Sequence, residues 1–221
     1  MSKTALVTGA NRGIGLELCR QLVERGDRVI AACRQVSNEL QALNVHVEEG
    51  VDVASGDSVS HLVRRLEGQP IDLLLNNAGI LSRETVDDLN LDAVRIQFEV
   101  NAMGPLRVSH ALLSQMGPGA KIGIVSSRMG SLADNTSGSR YGYRMSKAAV
   151  NMAGVSLAHD LRERGIAVAI LHPGYVRTGM TGGNGFIDPP EAAAGLIARM
   201  NDLDLSNTGT FWHANGDILP W

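Results

Sequence analysis

The chain of 221 residues is short of several things, and each shortage excludes something. It has only two cysteines, Cys19 and Cys33, with no metal-ligand spacing and no disulfide framework. Both are expected to be reduced and buried, in a cytoplasmic protein. Neither sign of charge dominates. The formal net charge is −3, which points to no nucleic-acid partner and no anionic membrane surface. No apolar run approaches the roughly 20 residues that cross a bilayer. The apolar stretch Ala5-Leu6-Val7 near the start is too short for a secretory signal and leads straight into a motif. None of the six histidines has metal-ligand spacing, so no metal is expected. Repeats and low-complexity tails are also missing. What remains is ordinary for a globular domain: 44% hydrophobic and 19% charged residues, in a chain long enough for one sizeable core. The 25 glycines cluster at turns between apolar runs.

Those runs alternate between strand and helix. Thr4–Thr8 reads as a buried strand, followed by the turn Thr8-Gly9-Ala10-Asn11-Arg12-Gly13-Ile14-Gly15 and a helix over Leu16–Val23. A glycine-rich turn between strand and helix lets backbone approach a pyrophosphate, and the helix N-terminus offers it free N–H groups. A second strand, Asp27–Cys33, ends without the acid that would take adenosine ribose hydroxyls in an NAD site. Arg34 and Arg12 stand there instead, suited to charge-assisted hydrogen bonds with a 2′-phosphate. The pattern therefore predicts NADP(H) over NAD(H). A third strand is expected over Val45–Val53, where Asp52 is either an acceptor for adenine's amino group or a turn or cap residue of a helix over Asp57–Glu67. Ile71–Leu75 is a fourth strand, ending in Asn76-Asn77-Ala78-Gly79. Asparagines there can tie strands together, while Ala78 and Gly79 leave room for a cofactor.

Further on, one long helix is expected over Asp87–Met116, kinked or split at Gly104-Pro105. Strand Ile122–Val125 ends in Ser126-Ser127. Tyr143 and Lys147 are four apart, which puts both on one face of a helix. A nearby ammonium favours the phenolate and lowers a tyrosine's pKa, and a tuned tyrosine can exchange a proton with a substrate oxygen. A serine hydroxyl opposite could hold the same oxygen. Taken alone, Y-x-x-x-K arises often by chance. Ile166–Leu171 is a sixth strand, His172 a satisfied strand-end residue, and Thr178–Phe186 a glycine-rich lid. A helix is expected over Pro189–Met200, then a last strand, Thr210–Trp212.

Taken together, the motifs resemble those of the short-chain dehydrogenase/reductase family. The chain carries T-G-x-x-x-G-x-G as Thr8 to Gly15, N-N-A-G as Asn76 to Gly79, Y-x-x-x-K as Tyr143 to Lys147 and P-G-x-x-x-T as Pro173 to Thr178. Order and separations match over nearly the whole chain. The chain looks most similar to the compact carbonyl-reductase-like branch that includes the C-factor proteins. The resemblance implies one α/β domain over 1–221, a Rossmann-type doubly wound parallel sheet of about seven strands, with a substrate lid around 178–190. It implies a catalytic set of Asn101, Ser127, Tyr143 and Lys147. Within it, Lys147 would bind the nicotinamide ribose and depress the pKa of Tyr143. The implied cofactor residues are Gly9, Asn11, Arg12, Gly13, Ile14, Gly15, Arg34, Asp52, Val53, Asn77, Ala78, Gly79, Tyr143, Lys147, Pro173, Gly174, Val176 and Thr178. It also implies a small carbonyl or alcohol substrate and a homodimer or homotetramer formed through the two long helices.

One departure stands out. Sixteen positions separate Ser127 from Tyr143, more than in many members, and the choice between Ser126 and Ser127 stays open. Three functions are weighed: a carbonyl reductase using NADPH, an NADP(H)-binding signalling or sensor protein with little turnover, and an NAD-linked alcohol dehydrogenase.

Overall fold

Apolar strands that are buried on both faces can only sit between two layers of helices. The computed structural model describes residues 2–221 and shows that arrangement. Seven parallel strands form one sheet: β1 (Thr4–Thr8), β2 (Arg28–Cys33), β3 (His46–Glu49), β4 (Leu73–Asn76), β5 (Lys121–Val125), β6 (Ala167–His172) and β7 (Phe211–His213). Their order is β3-β2-β1-β4-β5-β6-β7. The helices are α1 (Gly13–Glu24), α2 (Asn38–Gln41), α3 (Gly56–Arg65), α4 (Leu91–Phe98), α5 (Gly104–Leu112), α6 (Tyr141–Asp160) and α7 (Pro189–Asp202).

Strand alternation divides the core in two. Ala5 and Val7 of β1 face a cluster with Leu18 and Leu22 of α1 and Leu196 and Met200 of α7. Leu6 faces the other cluster, with Val59 and Leu62 of α3, Val108 and Leu112 of α5, and Val150 and Leu157 of α6. Helix α6 lies unusually close to the sheet: a Cβ on Gly154 would meet Ile170 Cγ1 at 2.7 Å. Between β1 and β4 the sheet reverses its direction of growth. Such a switch point opens a crevice outside the carboxyl ends of the strands, and the Gly9 turn and the Asn77–Gly79 segment both emerge there.

Several boundaries differ from the sequence reading. Strand β3 stops at Glu49 because Gly50, with φ of 76°, turns the chain away, and Val51–Val53 is loop. Helix α3 is capped by Ser55, whose side chain accepts from Ser58 N, so Asp52 is not its cap. The long middle helix begins at Leu91 behind the Asn90 cap, not at Asp87. It is divided at Gly104-Pro105, as expected, since α5 begins at Gly104. Glu99–Met103 forms a π-helical segment between α4 and α5, and Pro105 fits within the first turn of α5. Trp221 stacks on Phe211 with ring centroids 5.3 Å apart, and its carbonyl accepts from Ala133 N.

Candidate active site

The crevice is a cleft of about 620 Å³. Its floor is built by close backbone approach. Gly9 has φ of 66°, and a Cβ there would lie 2.8 Å from Ala78 Cα. A Cβ on Gly15 would lie 2.2 Å from Gly9 O, so only glycine fits. Thr8 and Asn77 knot the two loops together. Thr8 Oγ1 accepts from Asn77 N at 3.0 Å and Ala78 N at 3.1 Å, while Asn77 Nδ2 donates to Thr8 O at 3.0 Å. The neighbouring Asn76, buried, donates to Ser109 Oγ at 3.0 Å and ties β4 to α5.

Every predicted cofactor residue except Gly174 and Val176 lines this cleft. Gly174 instead shapes the turn after β6 with φ of 96°, and Val176 is buried in a bridge with Ile187. Arg12 and Arg34 stand exposed at one end of the cleft, and neither is in an ion pair among the described residues. Asp52 Oδ1 accepts from Ala54 N at 2.9 Å, which makes it a turn residue as well as part of the wall. Thr178 opens a short 3₁₀ turn, Gly179–Thr181, by a reciprocal cap with Thr181. The sequence reading missed Cys33, Ile80, Val100, Val125 and Met180 as wall residues. They are apolar or small, and no motif marks them. The glycines, arginines and exposed amide donors fit a dinucleotide with a pyrophosphate and an extra phosphate.

At the other end of the cleft stand Tyr143 and Lys147, in the first two turns of α6. Ser127 Oγ accepts from Met129 N at 3.1 Å and acts on the Tyr143 phenol, favouring its ionised form. Of the two serines Ser126 lines the cleft and Ser127 does not, but the Ser126 hydroxyl donates to Asn151 Oδ1 at 2.5 Å. With the Ser126 hydroxyl committed to Asn151, Ser127 is the serine that bears on the tyrosine's pKa. Lys147 is buried, and its Nζ donates to Val125 O at 2.8 Å and lies 5.7 Å from the Tyr143 ring centroid. Asn101, fully buried in the π segment, clasps Ile80 on both sides: Oδ1 accepts Ile80 N and Nδ2 donates to Ile80 O, each at 2.9 Å. A Cβ on Gly79 would sit 3.3 Å from Asn101 Oδ1 and 3.8 Å from Lys147 Nζ, so the asparagine and the lysine converge under the cleft.

The electrostatics correct one expectation. Burial raises the pKa of Tyr143 and outweighs the opposing effect of Ser127. The sequence argument had Lys147 lower it. Instead the ammonium turns to the Val125 carbonyl, and its own pKa is brought down to about 8 by burial. His172 also departs from its reading. Its Nδ1 is buried without a partner, and burial, then His213, Arg128 and Lys147, drive its pKa down to about 3. It packs edge-on against His213 at 5.0 Å, and neither ring supplies the missing hydrogen bond.

The short chain dehydrogenase family model matches residues 3–185. A Rhodococcus protein named 1-hydroxy-2-glutathionyl-2-methyl-3-butene dehydrogenase is 45% identical over 99% of both chains. The C-signal protein of Myxococcus xanthus is 41% identical over 69% of this chain and 93% of its own. Among solved structures, the NADPH-bound carbonyl reductase from chicken fatty liver superposes with a TM-score of 0.90 at 30% identity, covering 100% of this chain and 99% of that one. A glycine floor at a switch point, a tyrosine and a lysine one turn apart at its far end, and these likenesses along the full chain agree: the protein is an oxidoreductase of the short-chain dehydrogenase family, close to its carbonyl-reductase and C-factor members.

Proposed function

We propose that the protein is an NADP(H)-dependent oxidoreductase that reduces small or apolar aldehydes and ketones, with Tyr143 as acid and base. The observation that carries this reading is Tyr143 in the wall of the cleft, with Ser127 acting on its phenol and the Lys147 ammonium buried one turn behind. Arg12 and Arg34 support the choice of NADP(H), since both line the cleft and, among the described residues, neither has an ion-pair partner. The nicotinamide, when bound, supplies the hydride to the carbonyl carbon.

The chain's own residues handle the oxygen. Ser127 donates a hydrogen bond to it, and Tyr143 gives it the phenol proton, leaving an alcohol. The raised pKa keeps that phenol protonated, the form a reduction consumes. Below about pH 8 the Lys147 ammonium stays charged, 5.7 Å from the Tyr143 ring centroid. Asn101 holds Ile80 and with it the Asn77–Gly79 wall. In the oxidative direction the same residues act in reverse. The name of the Rhodococcus relative makes a thioether-bearing alcohol the first oxidative substrate to assay.

The protein is expected to self-associate, as a dimer or tetramer, through the outer face of α4 to α6, where Ile96, Met103, Met145 and Met152 are exposed. Among the described residues no helix is long and apolar enough to cross a membrane, and a cytoplasmic location is proposed. A second reading, an NADP(H)-binding signalling protein, draws on the name of the Myxococcus relative. NADPH and NADH titrations followed by cofactor fluorescence, paired with a carbonyl screen by NADPH consumption, test the proposal. Tight NADPH binding with turnover supports it. Tighter NADH binding removes the NADP(H) assignment, and NADPH binding without turnover of any carbonyl favours the signalling reading.

A further inference from the structure

Helix α6 carries Tyr143 as its third residue, yet its start is unusually made. Ser139 and Arg140, neither a glycine, both have left-handed backbone, with φ of 54° and 53°. Arg140 occupies the N-cap and offers no side-chain cap. Two such residues in succession persist only where the surroundings hold them, and the first N–H groups of a 20-residue helix need acceptors. Both requirements meet at one residue from another part of the chain, Glu84.

Glu84 is 2% exposed. Its backbone carbonyl accepts from Arg140 N at 2.7 Å. Its Oε1 accepts from Gln97 Nε2 at 2.8 Å and from the Ser82 hydroxyl. Its Oε2 is buried with no hydrogen-bond partner among the described residues. Burial pushes its pKa up. The Ser82 hydroxyl, its own N–H, the Gly142 N–H and Gln97 outweigh that, and the net direction is down. Gly142 itself is wedged against α4: a Cβ there would lie 2.2 Å from Gln97 Nε2 and 2.9 Å from Val94 Cα. Gln97 Oε1 in turn accepts from Ser82 N at 3.0 Å.

We infer that Glu84 is a positioning residue for Tyr143: supplied from the segment after β4, it takes Arg140 N on its backbone carbonyl at the strained entry to α6, and its buried carboxylate holds Gln97 against Gly142 in the first turn. The same segment is fastened at Asn77 to the Gly9 turn and at Ile80 to Asn101. The floor of the cofactor cleft and the start of the catalytic helix are therefore two ends of one stapled ribbon, with Glu84 at the helix end. Glu84 lies outside the cleft wall.

This inference rests on the proposed role of Tyr143, so Tyr143→Phe is measured beside it. Glu84→Ala and Glu84→Gln are compared for NADPH affinity by fluorescence, for kcat and KM with one carbonyl substrate, and for thermal melting. Glu84→Ala is expected to lower kcat at least tenfold with NADPH affinity changed less than twofold. Glu84→Gln, which keeps the size and one acceptor oxygen, is expected to recover at least a third of that loss on a logarithmic scale. Unchanged kcat in folded Glu84→Ala, beside an inactive Tyr143→Phe, overturns this inference alone. An equal loss of NADPH affinity and kcat also overturns it, because the residue would then only support the fold. If Tyr143→Phe turns over like wild type, the catalytic reading falls and takes the inference with it. Where Glu84→Ala does not fold, Glu84→Gln decides: a kcat loss of threefold or more at unchanged NADPH affinity supports the inference, and wild-type kcat refutes it.

Discussion

Lys147→Met should make the protein both inactive and more stable. The Lys147 ammonium is buried with no carboxylate partner, and its pKa is brought from 10.5 down to about 8. Each unit corresponds to about 1.36 kcal/mol, so holding the charge in the folded protein at pH 7 costs about 3 kcal/mol. Methionine removes that cost at nearly equal volume. It also leaves the Val125 carbonyl, which accepts from Nζ at 2.8 Å, without its donor, a loss of about 1–2 kcal/mol. The net gain is about 1–2 kcal/mol. For a domain of this size that shifts Tm by about 2–8 °C.

The pH dependence gives a second check. The folded pKa lies below the unfolded one, so between about pH 8 and 10.5 the unfolded chain binds more protons. Wild-type stability should therefore gain on the variant as pH rises through that window and overtake it by about 1–2 kcal/mol at the top, where only the lost Val125 hydrogen bond separates the two. Thermal melts by circular dichroism at pH 7 and pH 10, with turnover measured alongside, carry the test. A variant that melts lower than wild type at pH 7 would refute the claim that Lys147 is held charged at the expense of stability.

Arg34→Asp should weaken NADPH binding about 10- to 100-fold and leave NADH within a few-fold, the loss of one charge-assisted pair to a phosphate. Fluorescence titration measures both. Gly15→Ala places a methyl 2.2 Å from Gly9 O and should abolish NADPH binding or folding, read by titration and by melting. His172, with its pKa near 3, contributes stability that is full above about pH 6.5 and is lost as pH falls toward 3. His172→Leu should flatten that acid limb in melts taken between pH 4 and 7. Reductive kcat should fall as pH rises through about 8, where Lys147 loses its charge, and a kcat–pH profile checks this.

Much of this was legible in the residues. Strand and helix alternate with clear apolar runs, and each motif ends a strand or starts a helix, so the parallel sheet and the cleft followed. The legibility stopped where tertiary contact decides. The 4-residue helix α2 is too short to leave a periodic signal. The π segment at Glu99–Met103 is set by the fit between Asn101 and Ile80, not by local preference. Helix spacing placed Tyr143 beside Lys147, but the balance between burial and charge depends on what surrounds both, and burial prevailed. The run Ser82-Arg83-Glu84-Thr85 is polar and carries no motif. Nothing in it announces that Glu84 lies in the interior against α6.

The central claim is that Tyr143 moves the proton while the cleft holds NADP(H). The most direct measurement is the rate of NADPH oxidation with a carbonyl substrate, wild type against Tyr143→Phe, with NADPH affinity determined on both. The account predicts a fall in kcat of about 100-fold or more, the range of general acid–base catalysis, at nearly unchanged NADPH affinity. A Tyr143→Phe variant that oxidises NADPH at the wild-type rate would contradict it.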